Sequence, residues 1–191
     1  MEKYLGYIQY NSVVILTLFF ICLGVMILDT ITKGKTTNAF FSTTTNDNLL
    51  NPFTYVKWFT YALGHLNWEH FIHNFLYILL IGPLVEEKYG SMNLVYMMLI
   101  TAGIGGMFNR LFCKNKRALG ASGLGFMLIV LSSFVNIQTG KIPLTVVLII
   151  IFYLVKEVIH GLTKKDNISH GGHLLGGLCG LIFGIYFTYF V

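Results

Sequence analysis

The chain has 191 residues, of which 55% are hydrophobic and 11% charged, with a mean hydropathy of +0.69 and a formal net charge of +5. An ordinary soluble domain carries about 25% charged residues, so this composition excludes one. Apolar runs recur at membrane-spanning length and lack strand-like alternation, which points to helices crossing a bilayer rather than a closed barrel.

The pattern predicts one all-α domain over 1–191, a polytopic bundle of six transmembrane helices at about 12–28, 69–84, 92–108, 120–135, 143–158 and 168–191. Residues 1–11 form a short polar lead. The first apolar run is longer than the core of a cleavable signal and lacks its small-residue exit, so it is expected to be a retained span. A long first loop, 30–65, follows Asp29. Its Thr/Lys/Asn-rich part, Lys33 to Asn51, reads as irregular loop. Its aromatic part (Phe53, Tyr55, Trp58, Phe59, Tyr61) suits a headgroup-level segment, and connections of this length are often functional.

The second span opens with His65, His70, His73 and Asn74 and closes on Glu86-Glu87-Lys88-Tyr89-Gly90. The third carries Gly103, Gly105 and Gly106 and leads into a basic loop with Arg110, Lys114, Lys116 and Arg117. The fourth begins in Ala118-Leu119-Gly120-Ala121-Ser122-Gly123-Leu124-Gly125. A short turn, Asn136 to Lys141, and a polar loop, His160 to Asn167, flank the fifth. The sixth begins near Ser169-His170-Gly171-Gly172-His173. The Lys and Arg residues sit mostly between spans, where they act on topology and headgroups; they are no nucleic-acid signature. Cys22, Cys113 and Cys179 form no metal spacing and no disulfide framework.

Polar groups inside spans are expensive and default to functional candidates. Here they gather where the second, fourth and sixth spans begin, and an up-down path puts those three starts on one side of the membrane. Ser122 is a candidate nucleophile, with Gly120 and Gly123 giving access and nearby helix N-terminal N–H groups able to hold an oxyanion. Taken alone, Gly-x-Ser-Gly is more often a packing motif than a catalytic one. His173 is a candidate base, because Gly176 and Gly180 behind it let the sixth span approach a neighbour closely. His170 competes for that role without such a face. Neither span carries an acid to complete a triad, and Asp166 lies just outside. His70 and Asn74, at i and i+4, share one face and suit either oxyanion donation or interhelical hydrogen bonding. A metal reading uses His70-x-x-His73 and His170-x-x-His173 as ligand pairs, but it lacks a carboxylate partner, and H-E-x-x-H is absent.

These residues in this order resemble the rhomboid intramembrane serine proteases, in a minimal six-helix form. The family's H-x-x-x-x-H-x-x-x-N reads here as His65, His70 and Asn74. Its G-x-S-G reads as Gly120, Ser122 and Gly123, and its H-x-x-G-x-x-x-G as His173, Gly176 and Gly180. The resemblance implies Ser122 as nucleophile and His173 as base, with the Ser122 N–H, His70 and Asn74 as oxyanion hole. It implies His65 and Glu86 as structural supports and the first loop as a membrane-dipping element beside a substrate gate. It implies no cofactor, no metal, transmembrane protein substrates and a bilayer setting. Val56-Lys57 stands where the family often has Trp-Arg, and Phe126 where a Tyr commonly stacks on the catalytic His. The family orientation places the site toward the extracellular side of a cell membrane. The positive-inside rule opposes this, since only Lys3, Lys88 and Lys141 of the thirteen Lys and Arg lie on the terminal side. The expected activity is endopeptidase cleavage in or near transmembrane segments. The alternatives are an inactive relative that binds transmembrane clients and a His-ligated metal hydrolase.

Overall fold

The computed structural model describes residues 10–113, 117–137, 141–142, 144–163 and 171–191, and within 144–163 the side chains of 144–152 and 155. Its helices are α1 (Val13–Ile31), α2 (Lys35–Phe40), α3 (Phe53–Thr60), α4 (Trp68–Tyr89), α5 (Ser91–Phe112), α6 (Ser122–Ser132), α7 (Leu144–Thr163) and α8 (Gly171–Tyr189). Within the described residues, each of the six apolar runs thus contains a helix. The expected turn after the fourth run, the polar loop before the sixth, His170 and Asp166 lie wholly or partly outside the described residues.

Among the described residues, three helices, α1, α5 and α8, are long and apolar enough to cross a membrane. Helix α4 is as long as α5, at 22 residues, but its ends are polar. It starts with Glu69, His70, His73 and Asn74, and it finishes with Glu86, Glu87 and Lys88. Helix α6 has only 11 residues. At ~1.5 Å per residue it rises about 16 Å, roughly half of a ~30 Å hydrocarbon core. It is apolar on most sides because it is enclosed: α8, α4 and α5 pack around it, burying Leu124, Met127, Leu128, Val130 and Leu131.

The far end of α4 ties the bundle together. Glu86 is 6% exposed and sits at the N-terminus of α1. It accepts the Ser12 hydroxyl proton, the Val14 N–H at 3.0 Å, the Ile15 N–H at 3.2 Å and the Ser91 hydroxyl at 2.7 Å. A carboxylate there satisfies orphan N–H groups and complements the helix dipole. Four residues earlier, Gly82 lets α1 close in: a Cβ would stand 2.5 Å from Ile15 Cδ1.

The first loop is more ordered than its composition predicts. It holds α2, a short strand β1 (Thr43–Thr44), α3 and a 3₁₀ turn, Tyr61–Leu63. Strand β1 pairs antiparallel with β2 (Arg117–Ala118), Thr43 opposite Ala118 and Thr44 opposite Arg117. Long-range pairing, invisible to local pattern, fixes this register. Helix α5 holds β1 from below: Asn109 Nδ2 donates to the Thr43 carbonyl at 3.1 Å and Arg110 Nε to the Asp47 carbonyl at 2.8 Å. Asp47 in turn bonds Lys57 Nζ at 2.7 Å and the Thr44 N–H at 2.8 Å.

Burial raises the Asp47 carboxyl, but hydrogen bonds from Lys57, Thr44 and Thr43 and the Lys57 charge outweigh it and hold the group below its ordinary 3.8. A carboxyl lowered in this way stabilises the fold above its unfolded pKa. That contribution is lost as pH falls through the lowered folded value. Amide protection factors across 43–57, which remove the intrinsic pH dependence of exchange, should therefore fall as pH drops below about 3.8. Asp47→Asn should show the lowered protection factors already at neutral pH. Wild-type protection in the variant would show that the carboxylate does not brace the loop.

Candidate active site

Ser122 is the first residue of α6. Ala121, before it, offers no side-chain cap, so the N–H groups of the first turn have no partner within the helix. The chain reaches this point from β2 through Gly120, whose φ of +107° suits a residue without a Cβ. The Gly120 N–H donates to the Tyr61 carbonyl at 2.9 Å, so the end of the first loop grips the segment two residues ahead of Ser122.

Helix α8 lies directly on α6. A Cβ at Gly176 would stand 2.0 Å from the Gly123 carbonyl oxygen, and one at Gly180 would stand 2.5 Å from the Met127 carbonyl oxygen. Only glycine permits that approach. One turn before Gly176, His173 then meets Ser122, with Nε2 and Oγ 2.8 Å apart. The Phe126 ring, one turn after Ser122, faces the imidazole with centroids 4.9 Å apart and planes at 32°. It packs on the histidine without needing a hydroxyl.

From the other side, α4 presents His70 and Asn74 to the same backbone. A Cβ on Gly120 would lie 2.6 Å from His70 Cε1, 3.1 Å from His70 Nε2 and 3.4 Å from Asn74 Nδ2. The Leu66 N–H donates to His70 Nδ1 at 3.4 Å. That bond assigns the ring proton to Nε2, the nitrogen facing Gly120. Asn74 Nδ2 is buried and makes no hydrogen bond. Two side-chain donors therefore gather beside Gly120, two residues ahead of Ser122 and its orphan amide.

His65 lies behind His70 and is 1% exposed. It is wedged against His70, Phe71 and Phe75, with ring centroids 5.3–5.8 Å away. Its Nδ1 lies 3.3 Å from the Leu63 carbonyl. Burial, and secondarily His70, push its pKa down to about 4, so it stays neutral at any physiological pH. Glu86 is on the last turns of α4, with α1, and touches none of this. His73 is exposed. Among the described residues, no three His, Cys, Asp or Glu side chains group as a metal site.

Two contributors have no place in the motifs. Tyr61 acts through its backbone carbonyl, which no residue type announces. Asn67 caps α4 by accepting the His70 N–H at 2.8 Å; the signal for it, an Asn directly ahead of the helix, was present in the sequence.

A family model described as the Rhomboid domain matches residues 52–190, a stretch that contains every one of these side chains. The chain belongs to the rhomboid family. Among curated relatives, rhomboid-like protein 11, chloroplastic, of Arabidopsis thaliana is 27% identical over 137 residues, covering 64% of this chain and 49% of that protein. Two more from the same plant are the RHOMBOID-like protein 6, mitochondrial, 29% identical over 119 residues, and RHOMBOID-like protein 4, 31% identical over 119 residues. They match 60% and 59% of this chain and 39% and 30% of their own lengths. The chain spans about half or less of the length of these relatives. Membership of the rhomboid family, with the apolar helices α1, α5 and α8, makes this an integral membrane protein.

The contact of α6 with α8 is the tightest constraint on the serine–histidine pair. Gly176→Val should lower the unfolding midpoint in detergent, at an overpacking cost of about 1–3 kcal/mol. Gly177→Ala, whose Cβ would find nothing closer than Val130 Cγ2 at 3.8 Å, should be tolerated. Equal midpoints for the two variants would refute the close approach.

Proposed function

We propose that the protein is an intramembrane serine endopeptidase that cuts membrane-protein substrates in or near their transmembrane segments. The observation that carries the proposal is the 2.8 Å contact between His173 Nε2 and Ser122 Oγ. A serine hydroxyl is a weak nucleophile until a base within hydrogen-bond reach accepts its proton.

In this mechanism Ser122 Oγ attacks the scissile carbonyl carbon while its proton passes to His173 Nε2. The carbonyl π electrons move onto oxygen. That oxyanion takes hydrogen bonds from the Ser122 N–H, His70 Nε2–H and Asn74 Nδ2–H, donors aimed at charge that exists only in the transition state and intermediate. The C–N bond then breaks, and the imidazolium gives its proton to the departing amine. Water repeats the sequence on the acyl-enzyme ester, with His173 taking its proton and Ser122 recovering its own. A substrate helix hides its carbonyls in intrahelical bonds, so the segment cut must first unwind, which we assign to the α4–α7 edge. Phe126 holds the imidazole plane by packing.

The competing reading is a rhomboid relative that binds transmembrane clients without cutting them. It gives no use to the short serine–histidine contact or to the unpartnered Asn74 amide. In detergent, the wild type should cleave a labelled transmembrane substrate and take a fluorophosphonate probe on Ser122. Ser122→Ala should lose both, cleavage by at least about 10³-fold. Product at the wild-type rate from Ser122→Ala would end the assignment. A wild type that neither cleaves nor takes the probe would be the client-binding relative.

The proposal includes a cell-membrane location with Ser122 opening to the extracellular side. The rhomboid resemblance supports that orientation and the Lys/Arg distribution opposes it. A topology reporter fused to the C-terminus should read cytoplasmic; an external readout would reverse the orientation and leave the chemistry standing.

A further inference from the structure

We propose that Asn67 is a positioning residue for His70, and that residues 66–67 set both the placement and the tautomer of that imidazole. The inference rests on the reading of His70 as an oxyanion donor.

Asn67 is the N-cap of α4, extended at φ −161° and ψ 175°. Its Oδ1 accepts the N–H of His70 itself, at 2.8 Å. The residue before it, Leu66, donates its own N–H to His70 Nδ1 at 3.4 Å. Two neighbouring residues therefore hold one histidine at its main chain and at its ring. The side-chain bond fixes where the helix begins. The extended cap turns the preceding amide back over the first turn, onto the ring.

The consequence is chemical. A neutral imidazole has one donor nitrogen and one acceptor nitrogen, and whichever accepts a hydrogen bond leaves the proton on the other. Nδ1 accepts from Leu66, so Nε2 carries the proton, and Nε2 is the ring nitrogen on the Gly120 side, 3.1 Å from where a Cβ there would stand, next to Cε1 at 2.6 Å. With the proton on Nδ1 instead, a lone pair would point at the developing oxyanion, turning a stabilising contact into a repulsive one. His65, whose ring centroid is 5.4 Å from that of His70, has its own Nδ1 on the Leu63 carbonyl. Its other nitrogen, Nε2, is buried without a hydrogen-bond partner, so His65 makes no hydrogen bond to His70 Nδ1. Asn67 is itself exposed, so its influence on the reaction runs through His70.

A cap lost for stability alone and a cap lost for positioning differ in three readouts. In ¹⁵N-histidine-labelled protein in detergent, the His70 signals, assigned by their loss in His70→Gln, should report the Nε2–H tautomer. Asn67→Ala should mix the tautomers, and Asn67→Ser, which keeps a capping oxygen, should restore Nε2–H. On a transmembrane substrate, Asn67→Ala should lower kcat about tenfold at constant KM, less than the ~10²–10³-fold loss from deleting an oxyanion donor. Asn67→Ser should recover it. In a His70→Ala background, Asn67→Ala should cost nothing further. A wild-type His70 protonated on Nδ1 overturns the proposal, as does a tautomer that Asn67→Ala leaves unchanged. A kcat loss of the same size with and without His70 overturns it too. If the protein cleaves nothing, the enzymatic reading has failed, and the tautomer experiment still decides whether Asn67 sets His70.

Discussion

The glycine-on-backbone contact between α6 and α8 is the constraint on which the site depends. Lipid tails are as apolar as leucine, so helices in a membrane gain little from burying apolar surface against each other. They gain instead from close packing, and small residues permit the closest. A methyl group at Gly176 would have to occupy the position of the Gly123 carbonyl. The absence of side chains at that crossing brings two helix axes near enough for the flanking side chains to bridge them. Ser122 flanks Gly123 and His173 lies one turn before Gly176, and their 2.8 Å contact follows from the crossing.

The second half of the arrangement comes from outside the bundle. Helix α6 is too short to anchor its own approach, so the backbone entering it is held by the first loop. Strand β1 pairs with β2, and the Tyr61 carbonyl takes the Gly120 amide. In turn, Asn109 of α5 pins β1 and Arg110 pins the turn after it at Asp47. Lys57, standing where rhomboids often carry arginine, is 9% exposed and bridges Asp47. A lysine is a single point charge, whereas arginine offers a fork of donors. Here Arg110 supplies the second cation-borne bond to the same residue, at its carbonyl. Asp47 is thus held by two cationic side chains from different elements.

Much of this was legible in the sequence because the decisive residues are of restrictive types. Glycine at 120, 123, 176 and 180, a serine at the head of an apolar run, and His70 and Asn74 one turn apart each admit a packing role when taken alone. Placed together, they identified which three helices had to meet. The span count was less legible, because hydropathy alone does not separate an enclosed helix from a crossing one. Ser122–Ser132 is apolar because other helices surround it, and Trp68–Tyr89 is long but polar at both ends. The first loop was the least legible. Its Thr- and Asn-rich stretch has no periodicity, and its order comes from partners about 60 to 75 residues away: Ala118 and Arg117 across the ladder, and Asn109 and Arg110 beneath it. Tyr61 contributes through a carbonyl, which has no signature in sequence.

What unifies the site is the near absence of charge. Helices α6 and α8 carry no acid, and His65 remains uncharged down to about pH 4. The carboxylate at the far end of α4, Glu86, is surrounded by four donor groups. An unpaired carboxylate beside Ser122 would bear a desolvation cost of several kcal/mol, which a neutral imidazole largely avoids. The same medium makes the buried Asn74 amide costly, about 1–3 kcal/mol for a donor without an acceptor. Folding alone gives no return on that cost. A tetrahedral oxyanion forming beside Ser122 would return it by supplying the missing acceptor where low dielectric makes the bond strongest. Under the proposed function, a donor left without a partner in the resting protein is one prepared for the intermediate.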